Sequence, residues 1–148
     1  MAFTALDVKK LREQTGCGMM DCKKALTESD GDFDKAVEYL REKGLAAAAK
    51  KAGRIAAEGM VYAAADVANK VGVVIEVNAE TDFVAKNDSF QTFVKEVADV
   101  VMAQNPADVE ALMACKLGEQ TVEAALQEKI LVIGENIKIR RFARFEGV

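Results

Sequence analysis

Two runs of alternating apolar residues with a turn between them constrain this chain more than any other feature. Val61, Ala63, Ala65 and Val67 recur at every second position, Asn69-Lys70 follows, and Val71, Val73, Ile75 and Val77 alternate again. Period two is the spacing of side chains on one face of a strand, so the segment reads as a β-hairpin. Upstream the spacing is helical. Thr4 with Asp7 resembles a capping box, and Val8 and Leu11 begin an apolar stripe, predicting a short helix from residue 5 to about 14. Gly16-Cys17-Gly18 breaks it, and Met19, Cys22, Ala25 and Leu26 space a second helix up to Thr27. Ser29-Asp30-Gly31 turns and Asp32 suits an N-cap. Phe33, Ala36, Val37 and Leu40 then space a third helix, with Gly44 placed to end it.

These two regimes meet in LAAAAKKAGR, which favours helix but has little apolar bulk to bury. The expected organisation is therefore a three-helix module over 1–45, a basic helical connector over 46–56 and an α+β unit over 57–148. In the last unit, Phe90, Phe93, Val94, Val97 and Val101 share one helix face reaching to about Gln104. Asn105-Pro106 is expected to open another helix, and Thr121 to cap one carrying Val122, Ala125, Leu126 and Ile130. Gly134 precedes a closing strand from Asn136 to about Phe145, whose alternation fails at Arg140-Arg141, as at a bulge or a half-exposed edge. The fold class is α+β, with a small antiparallel sheet packed with helices.

Composition narrows the chemistry. The 148 residues contain no histidine, which removes the usual general base, nucleophile activator and zinc nitrogen ligand. Three cysteines, Cys17, Cys22 and Cys115, are too few for a disulfide framework or a four-thiolate site and read as reduced thiols. No apolar run approaches the roughly 18 to 20 residues of a membrane span, and MAFTALDVKK lacks a signal peptide's hydrophobic segment, so the expected location is cytoplasmic, with no membrane partner. The net charge of −4 is uneven: residues 1–54 carry +2, 55–137 carry −9 and 138–148 carry +3. An acidic middle repels phosphate backbones, so a protein surface is the expected partner and nucleic acid is not.

Several apparent motifs dissolve on inspection. Asp30, Asp32 and Asp34 occupy the first ligand positions of a calcium loop, but its sixth position is Lys35 instead of Gly and its twelfth is Arg41 instead of Glu. Gly16-x-Gly18 follows a helix, and the sixth position of the dinucleotide pattern is Asp21. Cys17 and Cys22 are not spaced as C-x-x-C. The basic residues Lys50, Lys51, Arg54, Lys138, Arg140, Arg141 and Arg144 lack interleaved aromatic residues for base stacking. No metal or cofactor is expected. Two features are harder to dismiss. Adjacent thioethers at Met19 and Met20 cannot both point into a small core, so one should face outward. In Glu80-Thr81-Asp82-Phe83-Val84 a large aromatic sits beside a carboxylate. The local pattern favours an N-cap Asp82 with Phe83 packed on the sheet, against a projecting wedge with a charge beside it.

The runs LREQTGCGMMDCKKAL, GDFDKAVEYLREKG, ETDFVAKNDSF and IGENIKIRRF, in that order, closely resemble the bacterial elongation factor Ts family. That resemblance covers nearly the whole chain. It implies an N-terminal module similar to a ubiquitin-associated domain and the first core subdomain of a longer protein, with this chain a fragment. It further implies a guanine-nucleotide exchange factor that does no bond chemistry and acts on the GTPase elongation factor Tu. Arg12, Met19, Met20 and Lys23 would lie on the partner's nucleotide-binding domain. Within the run Thr81 to Val84, Phe83 would enter an apolar pocket between partner helices and Asp82 would disturb the surroundings of the bound magnesium. Ile133 and Gly134 would make a further contact, and the core sheet could support a homo-oligomer. The alternative reading is a three-helix protein- or peptide-binding adaptor without exchange activity, which leaves ETDFVAKNDSF unexplained. A thiol-dependent redox enzyme is a remote third.

Overall fold

A computed structural model describes residues 3–148, which divide into two compact units. The first comprises the chain up to Ala52 together with Gln127–Gly134; the second comprises Gly53–Leu126 and Glu135–Val148.

The first unit holds helices α1 (Ala5–Thr15), α2 (Met19–Glu28) and α3 (Phe33–Lys51). Helix α1 opens on the expected capping box: the Asp7 amide donates to Thr4 Oγ1 at 3.4 Å and the Thr4 amide donates to Asp7 Oδ2 at 2.9 Å. Asp32 caps α3, accepting from the Lys35 amide at 3.1 Å, so its carboxylate serves the helix. The core is Val8, Leu11, Cys17, Cys22, Ala25, Leu26, Ala36 and Leu40, with Leu131 packed against it from the chain's later segment.

Helix α3 does not stop at Gly44, as the sequence suggests, but runs on through the Ala/Lys stretch to Lys51. The glycine has a different job. A Cβ there would lie 3.3 Å from the Gln127 carbonyl oxygen, so Gly44 lets two backbones approach within this unit. A helix tolerates one such glycine when packing repays its propensity cost of about 1 kcal/mol.

The second unit is built on an antiparallel sheet of order β1-β2-β5, from strands β1 (Glu58–Asp66), β2 (Val71–Ala79) and β5 (Lys138–Glu146). Between them run α4 (Asp82–Ala85), α5 (Asp88–Gln104), α6 (Val109–Ala114), the two-residue strands β3 (Lys116–Leu117) and β4 (Gln120–Thr121), and α7 (Val122–Ile133). The first turns of α7 belong to this unit and its remainder to the other. Helix α5 buries Phe90, Phe93, Val94, Val97 and Val101 against β1 and β2, where Val73, Ile75 and Val77 point inward. The Arg140-Arg141 irregularity is a bulge: Glu76 pairs with Arg141 and Val77 with Ile139, leaving Arg140 as the extra residue.

The structure chooses a face of β1 and corrects one expectation. On β1 the run Val61, Ala63, Ala65 faces outward, while Met60, Tyr62 and Ala64 are the half-buried residues. Both alternating sets are apolar, so period two identifies a strand without choosing its face. Pro106 does not open a helix. Asn105 ends α5 in the left-handed conformation, and α6 begins after Asp108, whose carboxylate accepts from the Ala111 amide at 2.8 Å. An acceptor side chain satisfies an orphan amide, which proline's ring cannot do.

Candidate partner-binding site

Within the first unit the residues singled out by sequence are each exposed. Met19 and Met20 are 57% and 74% exposed, so both thioethers face outward, not one. Lys23 lies one helical turn further along α2 and is exposed, as is Arg12 in the last turn of α1. Cys22, one turn on from Met19, is fully buried among the core residues of this unit and holds the helix to them. Burial pushes the Cys17 and Cys22 thiols up, partly offset by hydrogen bonding to Thr15. Raised thiols are poor nucleophiles at neutral pH, which argues against the redox reading.

In the second unit Thr81, not Asp82, is the N-cap: its Oγ1 accepts from the Val84 amide at 3.2 Å. Asp82 is therefore the first helical residue and is exposed. Phe83 is 81% exposed, so the favoured local reading of a phenylalanine packed on the sheet is overturned. The cause is helical geometry. Neighbours on a helix point about 100° apart, so with Val84, only 7% exposed, taking the inward direction, Phe83 is turned away from the core. Val84 is thus the foot of the loop, and Thr81, Asp82 and Phe83 are what it presents.

This loop is tied down by residues that sequence reasoning missed. Glu135 Oε1 accepts from the amides of Glu80 and Thr81, both at 3.1 Å, and its Oε2 accepts from the Thr81 hydroxyl at 2.8 Å. Glu80 returns the arrangement: its Oε2 accepts from the Asn136 amide at 2.7 Å and lies 3.6 Å from the Arg54 guanidinium. The Asn136 side-chain amide donates to the Arg54 carbonyl at 2.8 Å. The signal available in sequence is slight: a Glu-Asn pair following Gly134, beside a strand that is itself rich in charge. Gly134, just before it, has φ +83°, a conformation that favours glycine, and is exposed; Ile133 is half-buried.

No group of three or more metal-ligating side chains occurs among the described residues, and no described helix is long and apolar enough to cross a membrane. An open depression of about 570 Å³ in the second unit is lined by Asp66, Asp99, Arg144 and Glu146. Its one cation, Arg144, is engaged by the Met102 carbonyl and Glu146. It is not the site.

Comparison with known proteins follows the same residues. The sequence model of the family described as elongation factor TS matches residues 80–148, the stretch that contains the loop and its clamp. Over 150 residues the chain is 59% identical to elongation factor Ts of Trichlorobacter lovleyi, covering 99% of this chain and 48% of that protein. It is 54% identical to the Alkalilimnicola ehrlichii protein of the same name over 98% of this chain and 50% of that one. For that of Cereibacter sphaeroides the figures are 58%, 99% and 48%. The chain thus spans about half the length of the curated relatives it matches.

Proposed function

We propose that the chain, which is 54–59% identical over nearly its whole length to proteins named elongation factor Ts, binds the GTPase elongation factor Tu and promotes GDP release. The relatives' names support a role in translation elongation, and the partner and mechanism proposed here go beyond those names. The observation that carries it is Phe83, an apolar side chain held almost fully in solvent on a capped and anchored turn. A phenylalanine exposed at a braced tip is an anchor in search of a pocket.

In this reading Phe83 enters an apolar pocket on the GTPase and Asp82 disturbs the magnesium and phosphate surroundings. Burying one phenylalanine contributes roughly 1.5–3 kcal/mol, and each 1.4 kcal/mol is about tenfold in an equilibrium. One wedge therefore weakens nucleotide binding appreciably. Linkage makes the effect mutual: nucleotide lowers affinity for the factor by the factor's own effect on nucleotide. No bond is made or broken, so the protein is an exchange factor and not an enzyme in the usual sense, and it acts in the cytoplasm. Arg12, Met19, Met20 and Lys23 form a second contact on the first unit, where flexible thioethers adapt to a partner surface. Ile133 and Gly134 add a third. The adaptor reading accounts for the methionine surface but gives Phe83 no role.

A homo-oligomer through the core sheet is supported by the outer sheet face, where Val61 and Phe145 are 64% and 74% exposed. The test of the main reading is release of a fluorescent GDP analogue from elongation factor Tu. The parent chain should bind the GTPase and accelerate release, and Phe83→Ala should weaken both by about tenfold. Equal binding and release with Phe83→Ala would sink the wedge.

A further inference from the structure

We propose that Glu135 is the positioning residue of this site: its carboxylate fixes the Thr81-Asp82-Phe83 tip in the orientation that a partner receives. The inference rests on the reading of Phe83 as the wedge. It goes further by naming a residue that need not touch the partner at all.

Three donors from the base of the tip converge on one side chain, the Glu80 and Thr81 amides on Oε1 and the Thr81 hydroxyl on Oε2. Hydrogen bonds to an ionised acceptor are roughly twice as strong as neutral ones, so this is the strongest tie the loop has. It also settles the direction of the Thr81 hydroxyl. With its proton committed to Glu135, the Thr81 oxygen presents a lone pair to the Val84 amide and completes the cap of α4. Glu135 thereby acts through Thr81 on the first turn of the helix that carries Phe83. The register of Glu135 is itself held by its neighbour, since the Asn136 amide is bonded to Glu80 and its side chain to the Arg54 carbonyl. Without the carboxylate, three donors are left to water, and the tip samples orientations in which Phe83 misses its pocket.

A double-mutant cycle on the full chain tests this, with affinity for elongation factor Tu and amide hydrogen exchange as the two readouts. Glu135→Ala should weaken binding roughly fivefold to tenfold and speed exchange at the amides of residues 80–84. Glu135→Gln, which keeps an acceptor at Oε1 but loses the charge and the Oε2 acceptor of the Thr81 hydroxyl, should recover part of both. In a Phe83→Ala background, Glu135→Ala should add less than about twofold, because positioning an absent side chain is worthless. An undiminished effect in that background would mean direct contact or a general loss of fold and would overturn the proposal. So would unchanged loop exchange in Glu135→Ala. If Phe83→Ala binds as the parent does, the wedge reading fails, and loop exchange alone then decides whether Glu135 orders the tip. Should Glu135→Ala not fold, the Gln variant carries the same cycle, with a smaller expected loss.

Discussion

Phe83 and Val84 are adjacent, similar in hydrophobicity and opposite in fate, so they separate display from anchorage cleanly. Phe83→Ala should leave melting nearly unchanged, within about 0.5 kcal/mol, because its side chain makes little of the fold. Val84→Ala should cost about 2 kcal/mol, since it removes two buried carbons and leaves a void. Thermal or urea unfolding of the pair checks both; equal losses would mean that the tip is not a display surface. The thiols make a second case. Burial raises Cys17 and Cys22 above the ordinary value of 9.0, so the folded protein keeps both protonated through neutral pH. Iodoacetamide at pH 8 should therefore label them slowly in the native state and quickly in denaturant, followed by mass spectrometry. Rapid native labelling at Cys17 would reopen the redox reading.

At the scale of elements, the behaviour of α3 and of the bulged strand pair decides what each contributes. Gly44 is buried in the middle of α3 with the Gln127 carbonyl in close approach. Gly44→Val gains only a few tenths of a kcal/mol in helix propensity, while its three added carbons must push that backbone away, so a net loss of about 1–3 kcal/mol is expected. An unchanged melting temperature would show that the approach is loose. In the sheet, Glu76 sits at the bulge, where Asn78 donates to its Oε2 at 3.3 Å and Arg141 to its Oε1 at 2.7 Å. These hydrogen bonds, that from Asn78 first, hold its carboxyl below the ordinary glutamate value of 4.5 against the opposing pull of desolvation. The lowered value stabilises the fold above pH 4.5, and that contribution is lost as pH falls through the folded-state value. Carboxyl titration by NMR should place Glu76 below 4.5 and shift it upward in Asn78→Ala. A midpoint at or above 4.5 in the parent would contradict the bonding described.

For the molecule as a whole, the division into two units predicts how it comes apart. After Lys51 the chain leaves its helix and reaches β1 through exposed residues, including Arg54. Limited trypsin should cut first at Lys51 or Arg54, as exposed irregular backbone is the preferred substrate. Because Gln127–Gly134 belongs to the first unit, the two fragments should stay together in gel filtration and separate only in denaturant. A first cut within the second unit, at Lys70 or Lys95, would contradict the division.

Much of this was legible from residue order alone, and the reason is locality. The hairpin, α5 and the Thr4 and Asp32 caps depend on residues a few positions apart, whose spacing carries the whole signal. What tertiary structure decided was every choice that depends on a distant neighbour. Gly44 looks like a stop until a backbone more than eighty positions later is seen against it. The apolar faces of β1 are indistinguishable until α5 covers one of them. The direction of Phe83 waits on Val84 finding the core and on Glu135, 54 positions beyond Thr81, closing on the loop. Sequence determines which local shapes are cheap; burial and the pairing of remote polar groups determine which of them the chain keeps.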